Sequence, residues 1–450
     1  MRIKLTKGFD IHLAGKANQT LVDSIHSQTY SFKPSDFKGI QRPKVTVNEG
    51  DQVKAGTPIF FDKKNPQVMF TAPVSGEVVA IHRGPKRFPE EIKILADPKI
   101  EYVDFPVHSE QSLASLSADK VREILLQSGA WLNFLERPFG IIPHPENTPK
   151  AIFISAYDSH PLAPDYEFVF KGEEKYLQAG IQAIAKLSPG KVHIGIKADA
   201  NSLFKSLKGA EIHEFSGPHP SGNVGVQIHH IDPINKGEVV WTLTPYGLRQ
   251  IGYLFLEGKY DASQIIAVVG SEVKNPQYYK TYQGVPVGGF LVNNLKNENV
   301  RIISGNVLTG HKINQEGTLA YYDHMFTVIP EGNYHEFLGW IAPSAKKLSF
   351  QRAFGLLSFL SPKKERALDS NMHGEERAYV QTGVFEQVLP MDILPMYLIK
   401  AILARDFEAM EALGIYEVLE EDFALCEFID VSKTDIQKML REGMNALLEA

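Results

Sequence analysis

The feature that most constrains the fold is an alternation of apolar, strand-like runs with helical segments between residues 151 and 258. The strand-like runs are AIFIS at 151, VHIGIK at 192, EIHEF at 211 and VVWTL at 239, and helices are expected at EEKYLQAGIQAIAKL at 173 and SLFKSLKG at 202. This order is typical of a parallel sheet with right-handed crossovers. Thr244 and Pro245 provide an N-cap and a first-turn proline for a helix that runs toward Gly258. The sequence therefore predicts a Rossmann-like parallel α/β domain over residues 101–260.

Three other regions have different patterns. Residues 1–100 contain short apolar runs separated by Gly and Pro, which predict a small β-barrel or sandwich. Residues 261–345 combine strand-like runs with one short helix and predict a small α+β module. Residues 346–450 hold three segments with helical spacing and predict a helical domain. We therefore expect a multidomain α/β and α+β protein.

Composition excludes several classes of protein. The chain is 43% hydrophobic, which excludes a disordered protein. The 47 Lys and Arg residues against 53 Asp and Glu residues give a net charge of -6 and no broad cationic field, so we expect no nucleic-acid partner. The single cysteine, Cys426, excludes an internal disulfide and a cysteine-held iron–sulfur cluster within one chain.

Neither end of the chain predicts membrane insertion. The first fifteen residues carry Lys4, Lys7 and Asp10 within their apolar stretch and lack the pattern of a signal peptide. The apolar stretch 393–404 is interrupted by Pro395 and is shorter than the ~20 residues of a spanning helix. We expect a cytoplasmic protein whose contact with a membrane is at most peripheral.

The loop GPHPSGNVG at 217–225 is the most conspicuous candidate for a ligand site. It follows a predicted strand and precedes a predicted helix, which is where doubly wound sheets bind ligands. Asn223 and Val224 replace the Lys and Ser/Thr of a phosphate-binding P-loop, and no G-x-G-x-x-G follows the strand at 151. Nucleotide hydrolysis and a standard NAD or FAD site are therefore disfavoured, and a turn that needs glycine is the simpler interpretation.

The fifteen histidines raise the question of a metal site. His229 and His230 are adjacent, so their side chains diverge on a helix and on a strand alike. His213, His219 and His229 could meet only through tertiary folding, and the chain has no H-E-x-x-H motif. We therefore expect no metal site.

Two other chemical features have simple structural interpretations. Cys426 lies in an acidic helical segment, which disfavours a reactive thiolate, so we expect a buried structural thiol. The basic run Lys363, Lys364 and Arg366 is interpreted as a solvated linker.

Residues 47–81 resemble the barrel-sandwich hybrid domains of biotinyl and lipoyl carriers. In those carriers the modified lysine sits in a turn after an acidic residue, and Asp62-Lys63 stands near that place. Lys64, Asn65 and Pro66 depart from the carrier pattern. We expect the carrier fold with an unmodified Lys63.

Segments spread over nearly the whole chain are similar to those of one family. They are IKLTKGFDIHLAG at 3, EGDQVKAGTPIFFDKKNP at 49, TAPVSGEV at 71, AIFISAYDSHPLAPD at 151, GPHPSGNVGVQIHHIDP at 217, GEERAYVQTGVFEQVLPMDILP at 374 and EEDFALCEFIDVSK at 420. Together they resemble the A subunits of sodium-translocating NADH:quinone oxidoreductases (Na⁺-NQR), which are homologous to the C subunits of Rnf-type complexes. Those C subunits hold iron–sulfur clusters through cysteine motifs, whereas only Cys426 remains here, so the resemblance implies that the cluster function is lost.

The resemblance implies a place in a six-subunit membrane complex that passes electrons from NADH to quinone and exports Na⁺. This chain would be peripheral, on the cytoplasmic face of the bacterial inner membrane, and its partners would be the other subunits, including integral membrane ones. The flavins and the iron–sulfur centre would belong to those partners, so no tightly bound cofactor is expected here. Ubiquinone or menaquinone would be the substrate of the complex. Residues 261–311 resemble β-grasp modules of the soluble-ligand-binding (SLBB) type.

Any quinone contact of this chain is expected in the crevice around the 217–225 loop, with His219 donating a hydrogen bond to a quinone carbonyl. The candidate binding residues are Gly217, Pro218, His219, Gly222, Gly225, His229 and His230. No catalytic residue and no metal ligand is predicted. Two alternatives stay open: an independent flavin- or nucleotide-binding oxidoreductase that uses this loop, and a carrier modified on Lys63.

Overall fold

The first two strands of the protein pair with sheets built by later parts of the chain. The computed structural model describes residues 1–22, 27, 29–337, 344, 346–350, 363–380 and 383–449. Strand β1 (Arg2–Lys4) pairs in parallel with residues 214–216, and β2 (Asn18–Val22) pairs in parallel with residues 277–279. The N-terminal segment thus bridges two regions that are far away in sequence.

The next seven strands form a β-sandwich. They are β3 (Thr29–Phe32), β4 (Pro43–Val45), β5 (Gln52–Val53), β6 (Pro58–Asp62), β7 (Asn65–Thr71), β8 (Gly76–Arg83) and β9 (Pro89–Ala96). One antiparallel sheet has the order β3-β9-β8-β5 and the other the order β4-β6-β7. Phe60 and Phe70 stack in the core with ring centroids 4.3 Å apart, and Phe32 packs edge-on against Phe60. The predicted barrel-sandwich hybrid domain is confirmed.

The second region is the predicted Rossmann-like α/β domain. Its elements are α1 (Glu110–Ser115), α2 (Ala118–Ser128), β10 (Leu135–Arg137), β11 (Ile152–Ser155), α3 (Tyr166–Val169), α4 (Glu174–Ile184), β12 (Val192–Lys197), β13 (Glu211–Ser216), α5 (Val224–Ile231), β14 (Val240–Thr242) and α6 (Pro245–Glu257). The sheet order is β1-β13-β12-β11-β14-β10, and every pairing is parallel except that of β10 with β14. Thr244 caps α6 through the Gly247 N–H, and Gly258 ends the helix with φ of 65°.

Helices α4 and α6 cross closely because glycines line their contact. An added Cβ on Gly252 would lie 1.7 Å from the Tyr176 carbonyl oxygen, and one on Gly180 would lie 2.3 Å from the Leu248 carbonyl oxygen. Neither backbone oxygen can move without shifting a helix. These two positions therefore require glycine for packing.

The third region is a mixed sheet with one short helix. Its elements are β15 (Ser263–Val269), β16 (Gln277–Tyr282), α7 (Gly288–Leu291), β17 (Val300–Ser304), β18 (His311–Ile313) and β19 (Met325–Pro330). The sheet order is β18-β17-β19-β15-β16-β2, in which β19 is parallel to β15. The predicted α+β module of the SLBB type is confirmed, while residue 345, its predicted end, lies outside the described residues.

The last region is helical, as predicted. Its helices are α8 (Pro395–Ala404), α9 (Phe407–Ala412), α10 (Glu420–Ile429) and α11 (Ile436–Glu449). Cys426 is buried in α10, and burial raises the pKa of its thiol, which confirms a structural thiol. The linker interpretation is wrong for Arg366, which is buried and whose backbone pairs with residues 12–14, although Lys363 and Lys364 are exposed. Within the described ranges, no helix is both long enough and apolar enough to cross a membrane.

Candidate functional site

The 217–225 loop lies at the carboxyl end of the parallel sheet, between β13 and α5. Gly217 has φ of 134°, and an added Cβ there would lie 2.5 Å from the Leu5 carbonyl oxygen. An added Cβ on Gly225 would lie 2.4 Å from Arg137 Nη1. Both glycines therefore allow close packing of the protein against itself.

The N-terminal segment covers this loop. The Phe9 N–H donates to the His219 carbonyl oxygen at 2.8 Å, and the His219 N–H donates to Asp10 Oδ1 at 2.8 Å. The neighbouring Gly8 N–H donates to the Gln387 carbonyl oxygen at 3.1 Å. The crevice in which a doubly wound sheet would bind a ligand is thus occupied by residues of the same chain.

Two histidines meet beneath this cover. The His160 and His219 ring centroids are 4.6 Å apart. His160 Nδ1 lies 2.6 Å from Asp158 Oδ1, and His219 Nδ1 lies 3.0 Å from Ser159 Oγ, which also accepts the Gly222 N–H at 2.9 Å. The residues after β11 and the 217–225 loop both lie at the same edge of the sheet. The fold therefore brings these side chains together.

Burial and charge give the two imidazoles opposite properties. Burial by itself lowers the pKa of His160, but the Asp158 carboxylate outweighs burial and raises that pKa above its ordinary value. Burial, reinforced by His160, lowers the pKa of His219 far below its ordinary value. The Nε2 atoms of both rings are buried and have no hydrogen-bond partner among the described residues. The pair therefore presents unsatisfied polar atoms inside the protein, which cost free energy unless a water or a ligand binds them.

Helix α10 closes the other side of the site. Arg137 Nη1 lies 3.2 Å from Asp422 Oδ2, and Arg137 also pairs with Glu421. The Asn223 side-chain amide donates to the Glu421 carbonyl oxygen at 3.0 Å. Burial raises the pKa of Glu421 despite the neighbouring Arg137. A buried cluster of charges therefore joins the α/β domain to the helical region.

The predicted residues His229 and His230 lie on α5 and also serve contacts within the chain. His229 Nδ1 lies 2.7 Å from Glu417 Oε2, and its Nε2 accepts the Asp392 N–H at 3.0 Å. His230 Nδ1 lies 2.9 Å from the carbonyl oxygen of Val226, one helical turn earlier. His229 therefore links α5 to the helical region.

His213, His219 and His229 each have different partners. His213 lies next to His193 and Glu211. The potential ligand atoms of His193, Glu211 and His213 all lie within 4.8 Å of one another. The sequence-based reasoning missed this set, although all three residues fall on two of the predicted strands, with Glu211 and His213 two positions apart on the same strand.

Two of the cavities among the described residues are candidate ligand spaces, and none of the seven predicted binding residues lines either of them. The larger, about 80 Å³, lies between α6 and the third region and is lined by Phe170, Tyr246, Arg249 and His324, among others. The smaller, about 60 Å³, lies where residues 38–40 approach residues 141–142. The structure thus separates these spaces from the predicted loop.

Comparison with known proteins gives a consistent family. Residues 3–97 match the NqrA N-terminal barrel-sandwich hybrid domain, residues 116–260 the NqrA second alpha/beta domain and residues 265–315 the NQRA C-terminal domain. Two full-length relatives, from Alcanivorax borkumensis and Neisseria meningitidis, are both named as the A subunit of the Na(+)-translocating NADH-quinone reductase. Each is 36% identical and covers 99% of this chain and 99% of its own length. A solved NAD⁺-reducing [NiFe]-hydrogenase chain covers 78% of this chain and 67% of its own at 12% identity, with a TM-score of 0.37, which carries no argument.

Full-length similarity at this level, together with family matches over three of the four regions in the same order, is decisive. This chain belongs to the family formed by the A subunits of Na⁺-translocating NADH-quinone reductases.

Proposed function

We propose that this chain is a peripheral component, without a redox centre of its own, of a Na⁺-translocating NADH-quinone reductase. It is silent alone and acts only when bound to the other subunits, including integral membrane ones, on the cytoplasmic face of the bacterial inner membrane. The flavins and the iron–sulfur centre lie in those partners, and ubiquinone or menaquinone is the substrate of the complex. The names of the full-length relatives support the complex, and a surface of the helical region supports the docking role.

The observation that carries the docking role is the exposed side of α8 and the start of α9, here called the α8–α9 face. Four large apolar side chains are exposed there: Leu394 by 51%, Tyr397 by 47%, Leu403 by 52% and Phe407 by 37%. They fall within fourteen consecutive residues, whereas the inner side of α8 is buried against the helical region. Apolar side chains concentrated in this way mark interaction surfaces.

The size of these side chains indicates how much binding free energy the face can supply. An aromatic side chain buries ~150 to 250 Å². Roughly half of that area, at ~25 cal/mol per Å², corresponds to about 2 kcal/mol for each residue that becomes covered. Replacing one of them by a charge should therefore weaken docking by at least about tenfold.

The test is assembly of the complex with a Tyr397→Glu/Leu403→Glu variant. Both side chains are half-exposed in the free chain, so we expect the variant to fold. We also expect that it does not copurify with the membrane subunits. The matched control is Val107→Glu/Val292→Glu, since Val107 is 67% exposed and Val292 69% exposed in other regions. The docking role is refuted if both variants assemble equally well.

A second role, contact with a quinone carbonyl at His219, is favoured by the unsatisfied Nε2 atoms of His160 and His219. Because Ser159 Oγ accepts the Gly222 N–H, its hydroxyl can donate to His219 Nδ1, which leaves the proton of the neutral ring on Nε2. A carbonyl oxygen that reached this nitrogen would satisfy it. The cover formed by residues 8–10 would have to open first, so this role needs a movement of the N-terminal segment.

Calorimetry with a short-chain quinone tests the second role, and the absorbance spectrum of the same sample tests for bound flavin. We expect His219→Gln and His160→Gln each to weaken saturable binding by at least about tenfold, as loss of a buried hydrogen bond implies. His82→Gln, on the exposed end of β8, is the control. Unchanged affinity in both variants removes the role.

The structure bears on the two alternatives, a flavin- or nucleotide-binding enzyme and a carrier modified on Lys63. A flavin or nucleotide enzyme would need access to a loop whose His219 is 1% exposed, and a yellow chromophore in the purified protein would support it. Lys63 is exposed in the turn between β6 and β7, as a carrier lysine would be. The preceding Asp62 is buried and accepts the backbone N–H groups of Gln41 and Lys64, so its acidic side chain has a structural role without any modification. An intact mass above that of the sequence would support the carrier.

A further inference from the structure

His193, Glu211 and His213 form a cluster with the composition of a metal site. Strands β12 and β13 run in parallel with His193 opposite Glu211 and Gly195 opposite His213. Because side chains alternate between the two faces of a strand, the three residues share one face of the sheet. Neither the loop at 217–225 nor the α8–α9 face includes any of them.

The distances fit four-coordinate zinc. His193 Nδ1 lies 3.0 Å from His213 Nε2 and 3.7 Å from Glu211 Oε2. Two ligand atoms bound tetrahedrally at about 2.05 Å from Zn²⁺ are separated by about 3.3 Å, which falls between these values. A small rotation of the exposed Glu211 side chain would shorten the longer of the two distances toward this value.

The surroundings hold the two rings in place. His193 is 7% exposed and His213 5% exposed. The Phe153 ring stacks on His193 with centroids 4.7 Å apart.

One ion pair competes with metal binding and is weak. Lys191 pairs with Glu211, and the two side chains are 66% and 46% exposed. Exposed pairs of this kind contribute little stability. A divalent ion can therefore displace Lys191 from the carboxylate.

We propose that His193, Glu211 and His213 bind one divalent transition-metal ion, with Zn²⁺ as the best fit and a water as the fourth ligand. Two imidazoles and one carboxylate are a recurrent ligand set for this ion. The bound ion would hold the start of β13 against β12. Its ligand His213 lies four residues before the 217–225 loop begins. The competing explanation is a direct hydrogen bond between the two imidazoles, which needs no ion.

Calorimetric titration of the purified, metal-stripped full chain with Zn²⁺ distinguishes the two explanations. We expect one Zn²⁺ per chain, and His193→Gln and His213→Gln should each weaken binding by at least about tenfold. His82→Gln, which removes an exposed histidine in another domain, should leave the affinity unchanged. The proposal is overturned if the wild-type chain binds no Zn²⁺ or if the double variant His193→Gln/His213→Gln keeps the wild-type affinity.

A second measurement uses only the wild-type chain and does not depend on whether a variant folds. X-ray absorption of the Zn²⁺-loaded wild-type chain should show two imidazole ligands with oxygen completing the shell. A spectrum with fewer than two imidazoles would assign the ion to another place and overturn the proposal.

Discussion

Arg137→Met should destabilise the protein strongly because it leaves a buried carboxylate without its cation. Arg137 and Asp422 are each 1% exposed, and the Arg137 Nη1 to Asp422 Oδ2 distance is 3.2 Å. Removing one partner of such a pair costs about 3 to 5 kcal/mol. The exposed pair of Arg2 with Asp199 gives the matched control, for which Arg2→Met should cost less than about 1 kcal/mol.

Asp422→Asn in the Arg137→Met background should restore part of the loss. The amide is neutral and its oxygen can still accept the Leu419 N–H, which Asp422 accepts at 3.0 Å at the start of α10. We expect a coupling free energy of about 2 kcal/mol or more between the two substitutions.

Urea unfolding followed by tryptophan fluorescence measures these differences. Trp241 lies on β14 directly opposite Glu136, the neighbour of Arg137, and reports on this part of the sheet. The reasoning is refuted if Arg137→Met shifts the midpoint no more than Arg2→Met does, or if Asp422→Asn restores nothing.

Three further predictions follow from single buried groups. Gly252→Ala places a Cβ 1.7 Å from the Tyr176 carbonyl oxygen and should cost about 3 kcal/mol, seen as a fall in the thermal midpoint. The control Gly374→Ala, whose added Cβ would meet no atom closer than 3.5 Å, should not reproduce that fall. Burial lowers the pKa of His324 to about 3 in the folded protein. As pH falls below about 6.5, this imidazole becomes protonated in the unfolded chain but stays neutral in the folded one. The free energy of unfolding should therefore fall by up to ~1.4 kcal/mol per pH unit. His324→Phe should flatten that dependence in urea titrations at pH 7.5 and 5.5, and an unchanged slope would contradict the assignment. Cys426, whose thiol pKa is raised by burial, should react with a thiol reagent only after denaturation, and rapid labelling of the native chain would contradict its burial.

Local patterns in the sequence were sufficient for most of the fold. The alternating apolar runs of β11 to β14 and the cap formed by Thr244 and Pro245 predicted the parallel sheet and α6. The helix expected at 202–209 is a single 3₁₀ turn at Leu203–Ser206. Short segments are assigned poorly because few residues define their period and tertiary contacts decide their conformation.

The candidate site was predicted only in part. The sequence placed the 217–225 loop between β13 and α5, because the strand and the helix on either side of it have local signals. It gave no sign that Phe9 and Asp10 would bind the loop backbone, since hydrogen bonds across more than 200 residues leave no periodic pattern. The contact of His160 with His219 was not predicted either, because only the tertiary fold brings the residues after β11 next to this loop.

The sequence by itself determined the order of the four regions and the structural nature of Cys426, because periodicity, turn residues and composition are local properties. The resemblance of its segments also indicated the family. Tertiary structure alone decided that β1 completes the sheet beside β13, that His193 joins Glu211 and His213, and that the 217–225 crevice is filled. Each of these depends on how separate regions pack against one another. That packing is set by burial summed over many residues, which no short segment encodes.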